Sequence, residues 1–155
     1  MRSKLSLAML LAAVLAGPAP VLAADAERAA PKLADPADEL PRPTDERLRA
    51  DMNTLRNTIE QRVQALGLQA MVEADYVELA AEIERQVAAI SAGRDFHNRA
   101  GRHLQWLLGD LVDGAGLMRD APRAPAKRLG LMRVVETLNF YGREYDHPDW
   151  ATLKL

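Results

Sequence analysis

The sequence has no cysteine. That excludes disulfides, Cys-based zinc sites, thiolate catalysis, covalent c-type haem attachment and a lipid anchor on a processed Cys. Aromatic residues are scarce, with two Trp, three Tyr and two Phe, so a core has to be built mainly from Leu, Val, Ile, Met and Ala. Strand-like alternation is missing, and so is any internal repeat. No Gly-rich phosphate loop follows a strand. The Glu-x-x-His pair of di-metal bundles does not occur, and Ser3, Ser6 and Ser91 stand in no nucleophile context. Basic residues are scattered without an aromatic platform, and the formal net charge is −2, which argues against nucleic acid as a partner.

What is present begins with Met1-Arg2-Ser3-Lys4, a short positive start. A largely apolar run follows from Leu5 to Ala16, then a break at Gly17-Pro18-Ala19-Pro20, then Val21-Leu22-Ala23. This order is that of a secretory signal peptide over residues 1–23, with cleavage after Ala23. The run is shorter than the roughly 20 apolar residues that a spanning helix needs, and no later segment is suited to cross a membrane. The expected location is the periplasm, with no membrane span after cleavage. Loss of Arg2 and Lys4 with the leader leaves 18 basic against 22 acidic residues, a net charge of −4.

Residues 24–44 carry Pro31, Pro36, Pro41 and Pro43 among Ala, Asp and Glu, with no apolar period. They read as a flexible Pro/Ala-rich arm. From residue 45 the pattern becomes helical. Leu48, Met52, Leu55, Ile59, Val63 and Leu66 form one stripe at helical period, with Thr44 as the expected cap and Gly67 as the stop. Tyr76, Leu79, Ala80, Ile83, Val87 and Ile90 form a second stripe, opened by Glu73 or Asp75 and ended by Gly93. Leu104, Leu107, Leu108, Leu111, Ala115 and Met118 form a third, expected to begin near Asp95 and to be weakened by Gly101, Gly109, Gly114 and Gly116. The fourth, from about Lys127 to Tyr145, shows Leu131, Val134, Val135, Leu138, Tyr141 and Tyr145. Trp150 and Leu153 are placed to fold back over the bundle end. Four one-sided helices joined by short loops predict an all-α, antiparallel up-down-up-down four-helix bundle over residues 45–155.

The two ends of this pattern resemble the cytochrome b562 family of exported four-helix bundles. Leu48, Met52, Thr54 and Leu55 match its start, and Thr137, Asn139, Tyr141 and Tyr145 match its end. The resemblance implies a b562-like fold and a haem held between a Met early in the first helix and a His late in the fourth. Met52 stands at the Met position, as a remnant of that haem site. The His position is Gly142, which has no side chain to donate. Without the imidazole, Met52 reads as a core thioether. The stretch Val134-Val135-Glu136-Thr137-Leu138-Asn139-Phe140-Tyr141-Gly142, continued by Asp146-His147-Pro148-Asp149-Trp150, also resembles small exported proteobacterial proteins of the DnrO-like group, as does the pattern from Asp75 to Glu84. Relatives in that group carry a Cys and a His around the second and third helices, where this chain has Arg94 and Gln105. That implies a metal site lost or relocated here.

Three histidines remain. His97 and His103 are six apart, which does not bring two imidazoles to one ion on a helix, where a spacing of three or four is needed. His97 shares the expected core side with Leu104 and Leu111. An alternating bundle puts the start of the third helix and the end of the fourth at one end, so His97 and His147 can approach there. Asp146, Asp95 or Asp149 then completes an oxygen–nitrogen site suited to copper or zinc. The competing reading makes these residues ordinary capping and surface groups. Glu136, Asp110 and Asp113 are expected on outer faces, and no paired carboxylates for acid–base work stand out. The expected function is a non-enzymatic periplasmic helical-bundle protein, a binding or interaction module for an unknown envelope protein, without a cofactor. The alternative is a haem, copper or zinc binder related to the b-type cytochrome bundles.

Overall fold

A computed structural model describes residues 40–155 of the chain. The leader at 1–23 and the arm as far as residue 39 lie outside the described residues. Four helices follow one another: α1 (Glu46–Leu66), α2 (Glu73–Ser91), α3 (Arg99–Asp120) and α4 (Ala124–Glu144). Among the described residues there is no strand, only a single isolated bridge between Arg42 and Tyr145.

Two helices, α1 and α3, start where a side chain accepts a first-turn N–H, and several boundaries differ from their expected places. Asp45, not Thr44, caps α1: its carboxylate accepts the Leu48 N–H and adds negative charge at the positive end of the helix. Thr44 instead donates its hydroxyl to the Asp146 carbonyl. At the start of α2, the Asp75 carboxylate accepts the Val72 N–H at 2.8 Å. The third helix begins at Arg99 rather than near Asp95, because the Asn98 side chain accepts the Gly101 N–H at 2.6 Å. The fourth begins at Ala124, earlier than Lys127. Pro125 does not prevent this, since a nitrogen at the second helical position has no intrahelical acceptor to lose.

The expected stripes form the core. Met52, Leu55 and Ile59 of α1, Leu79, Ile83 and Ile90 of α2, Leu107, Leu111 and Met118 of α3, and Leu131 and Leu138 of α4 are fully buried. At the end of α1 the stripe thins, and Val63 and Leu66 pack half-buried against the cluster. The closest helix pairing is α3 with α4, followed by α2 with α3. The glycines explain why. A Cβ at Gly130 would lie 2.6 Å from the Gly114 carbonyl oxygen and 2.7 Å from the Met118 nitrogen, so the two backbones touch there through absent side chains. Gly114, expected to weaken the third helix, marks this crossing. The helix runs unbroken to Asp120.

Lys127 locks the α3–α4 corner. Its side chain is 5% exposed, and its ammonium donates to the Met118 and Arg119 carbonyls at 2.9 and 2.7 Å. These are end-of-helix carbonyls without an intrahelical partner, and a cation there also complements the helix dipole.

Beyond α4 the chain folds back as expected. The Asn139 amide forms a pair of hydrogen bonds with the Leu153 backbone, at 3.0 and 2.9 Å. Arg56 of α1 donates to the Ala151 carbonyl, and Leu153 is buried. The tail thereby ties α1 to α4.

Candidate interaction surface

Met52 is buried in the core with no exposed surface. Gly142 does not border an open space. An ideal Cβ there would collide with Cδ1 and Nε1 of the Trp150 indole, so the returning tail lies where a side chain at 142 would project. The haem site implied by the resemblance needs an imidazole there. The chain supplies none, and the indole occupies its room. These residues do not fit that group.

The three residues of the expected copper or zinc site lie apart in character. His97 precedes α3 instead of lying on its core side, because the Asn98 cap starts the helix two residues later. Its ring is exposed, and its backbone N–H is held by the Asp95 carboxylate at 2.8 Å. Asp146 is pinned through its backbone: its N–H donates to the Arg42 carbonyl at 2.7 Å, and its side chain is exposed. His147 is 8% exposed, and its Nδ1 is hydrogen-bonded to the Tyr141 hydroxyl at 2.9 Å. Among the described residues, no group of three or more His, Asp or Glu side chains is placed to hold a metal ion.

His147 belongs to an aromatic core at this end of the bundle. Its ring packs 4.9 Å from Trp150, and Trp150 packs 4.9 Å from Tyr141. Tyr141 stacks on Tyr145 at 4.8 Å with an interplanar angle of 21°. The Tyr145 hydroxyl is hydrogen-bonded to His103 Nδ1 at 2.8 Å. Two imidazoles thus flank two stacked phenols. Burial pushes both imidazoles below their ordinary value. Arg49 reinforces this at His147 while Asp149 opposes it, and Arg42 reinforces it at His103 while Glu144 opposes it. Burial raises both phenols, Tyr145 to about 12. The whole array is neutral near pH 7, which suits packing. Sequence spacing did not reveal the tyrosine partner of His103, 42 residues away.

The aromatic residues continue outward from His103 onto the surface. Trp106 is 58% exposed. It meets Phe140 edge-on at 5.8 Å, and the Arg143 guanidinium lies 5.7 Å over the Phe140 ring. A shallow cleft of about 260 Å³ opens beside them, lined by Trp106, Phe140, Thr137, Arg133, Glu136, Asp110 and Arg143. Burial alone would raise the Asp110 carboxyl. Hydrogen bonds from Arg133 and Thr137 outweigh it and hold the group below its ordinary range. Trp106 and Phe140 escaped the sequence reading, which followed inward-facing positions only. The signal available was a Trp one turn beyond a His, opposite a Phe outside the fourth stripe.

A second cavity of about 390 Å³ lies near the start of α1 and the loop before α3, lined by Arg42, Arg47 and Arg94 among others. Its cations are already engaged. Arg42 pairs with Glu144, Arg47 with Asp51, and Arg94 with Asp45 and Asp51. Arg94 is therefore a brace between α1 and the loop after α2. Comparison with known protein families, known proteins and solved structures finds no match for this chain.

Proposed function

We propose that this chain is a non-enzymatic interaction module, exported to the periplasm, whose binding surface is the Trp106–Phe140 face of α3 and α4. One observation carries this reading: a tryptophan left 58% exposed on a chain that has only two, joined to a Phe and capped by an arginine. Trp and Arg dominate the energetics of protein interfaces, and an exposed aromatic cluster beside a polar rim is the usual form of such a surface. Tyr141, Tyr145 and His147 are buried, and each tyrosine hydroxyl is hydrogen-bonded to an imidazole, which supports a structural role for that part of the array. The antiparallel up-down-up-down arrangement with b562-like topology belongs to the same proposal. It is supported by the short connections and by bonds between helix ends, Asp45 with Arg94 and Arg42 with Glu144.

The test is a Trp106→Ala/Phe140→Ala variant, compared with the unaltered protein in the producing cells after chemical cross-linking. The expected result is loss of a cross-linked species of discrete mass, with helix content and unfolding midpoint nearly unchanged. A cross-linked species retained at full yield contradicts the reading.

A further inference from the structure

We propose that the cleft bounded by α4, the α1–α2 loop and the returning tail binds an aliphatic monocarboxylate, with its head group on the Arg128 guanidinium and its chain along Leu68, Met132, Val135 and Leu153. The cleft lies on another side of α4 from the Trp106–Phe140 face and shares only Glu136 with it. It does not depend on the reading of that face.

An uncompensated cation is the first support. Arg128 is half-buried, and its Nη2 is withdrawn from solvent with no hydrogen-bond partner. Arg42 and Arg94 also hold a buried nitrogen without a hydrogen bond, but each is ion-paired through the same guanidinium. Among the described residues Arg128 has no anionic partner. A guanidinium partly stripped of water and left without an anion is costly. A carboxylate relieves it, because its two oxygens match the guanidinium fork.

Shape is the second. The cleft has a volume of about 430 Å³, within the roughly 300–1,000 Å³ of small-molecule sites. Arg128, Met132, Val135, Glu136 and Asn139 follow one another along one side of α4. From Arg128 to Asn139 the helix advances roughly 16 Å, and from Arg128 to Glu136 roughly 12 Å. The cation therefore stands at one end and the acid toward the other, with Leu68, Val135 and Leu153 walling the space between. Both non-helical walls are held in place. The Ala70 and Met71 N–H groups donate to the Gly67 carbonyl at 2.9 and 3.2 Å, and the Asn139 amide holds the Leu153 backbone. A smaller cavity of about 210 Å³ also borders Leu68, Gln69 and Arg128, which leaves the guanidinium room to turn toward a head group.

The charge pattern selects the class of occupant. One free cation followed by an apolar wall suits a single negative charge on an aliphatic chain. A second carboxylate at the far end of a diacid would meet Glu136, and a phosphate monoester would bring two charges to one cation.

The experiment uses protein purified after expression of the full 155-residue sequence, with its methionine methyl groups labelled for NMR. Decanoate is the probe, added below the concentration at which it forms micelles. The control is 1-decanol, which has the same chain and no charge. The expected result is a saturable shift of the Met132 methyl, while those of Met52 and Met118, buried in the core, stay unmoved. Binding should weaken about tenfold or more for 1-decanol, and for decanoate with Arg128→Gln, the worth of one charge-assisted hydrogen bond. Glu136→Gln, at an exposed position, should tighten decanoate and leave 1-decanol unchanged. If Arg128→Gln does not fold, the 1-decanol comparison and Glu136→Gln decide. Absence of a saturable Met132 shift, equal affinity for the two probes, or a decanoate affinity indifferent to the substitutions overturns the site. A Met132 shift that follows protein concentration with no probe added also overturns it and assigns the cleft to a second copy.

Discussion

The Trp150 indole rests directly on Gly142, so closely that the smallest side chain at 142 would meet it. This contact closes the bundle where the b-type cytochrome pattern would place an imidazole. Gly142→Ala is expected to lift Trp150 off α4 and loosen the tail, at about 1–3 kcal/mol, the usual range for overpacking. Urea denaturation gives the stability change, and Trp150 emission should shift toward the red. An unchanged midpoint with unchanged emission contradicts the contact.

The α3–α4 crossing makes two glycines behave in opposite ways. At Gly130 a Cβ meets backbone atoms at 2.6 and 2.7 Å, whereas nothing lies within 4 Å of one at Gly109. Gly130→Ala is therefore expected to destabilise by several kcal/mol, since backbone cannot rotate out of the way as a side chain can. Gly109→Ala is expected to stabilise by up to about 1 kcal/mol through helix propensity and reduced unfolded-state entropy. Equal effects from the two substitutions would show that the helices do not cross there.

Much of this fold was legible in the sequence. The stripe from Leu48 to Ile59 and the one from Tyr76 to Ile90 are one-sided and regular, so burial followed periodicity. The helix starts were less legible. Thr44 and Asp45 are both good caps, and tertiary bonds separate them: Thr44 is engaged by the Asp146 carbonyl and by Arg49, and Asp45 by Arg94. His97 was misplaced for the same reason, because Asn98 rather than Asp95 stops the loop. The aromatic face was not legible. Periodicity reports which positions face inward, and Trp106 and Phe140 are outward positions on two different helices.

Stability should fall on acidification before any carboxylate titrates. Above about pH 6.5, the ordinary histidine value, His147 and His103 are neutral in both folded and unfolded chains. As the pH drops below that value, the unfolded chain takes up protons first, because burial holds both imidazoles below their ordinary value in the fold. Stability is lost until the folded imidazoles also titrate. His147→Asn, which keeps an acceptor for Tyr141, should flatten the dependence between about pH 6.5 and pH 5. Thermal unfolding across that range reads it, and a slope unaffected by the substitution would contradict the burial of His147.

Lys127 should matter more than its charge suggests. Lys127→Met keeps the stem but leaves the Met118 and Arg119 carbonyls without its ammonium. A loss of about 1–3 kcal/mol is expected, as for a buried acceptor left unpaired. The control is Lys154→Met at an exposed position, which should shift the denaturation midpoint far less. Equal shifts would contradict the α3 cap.

A photoreactive amino acid placed in turn at Trp106 and at Ala88, an exposed position on α2, gives the most direct measure of the proposed function. After illumination of cells making each variant, a discrete adduct is expected at position 106 and none at 88. Adducts at both positions in equal yield, or at neither, would contradict the assignment of the Trp106–Phe140 face as the binding surface.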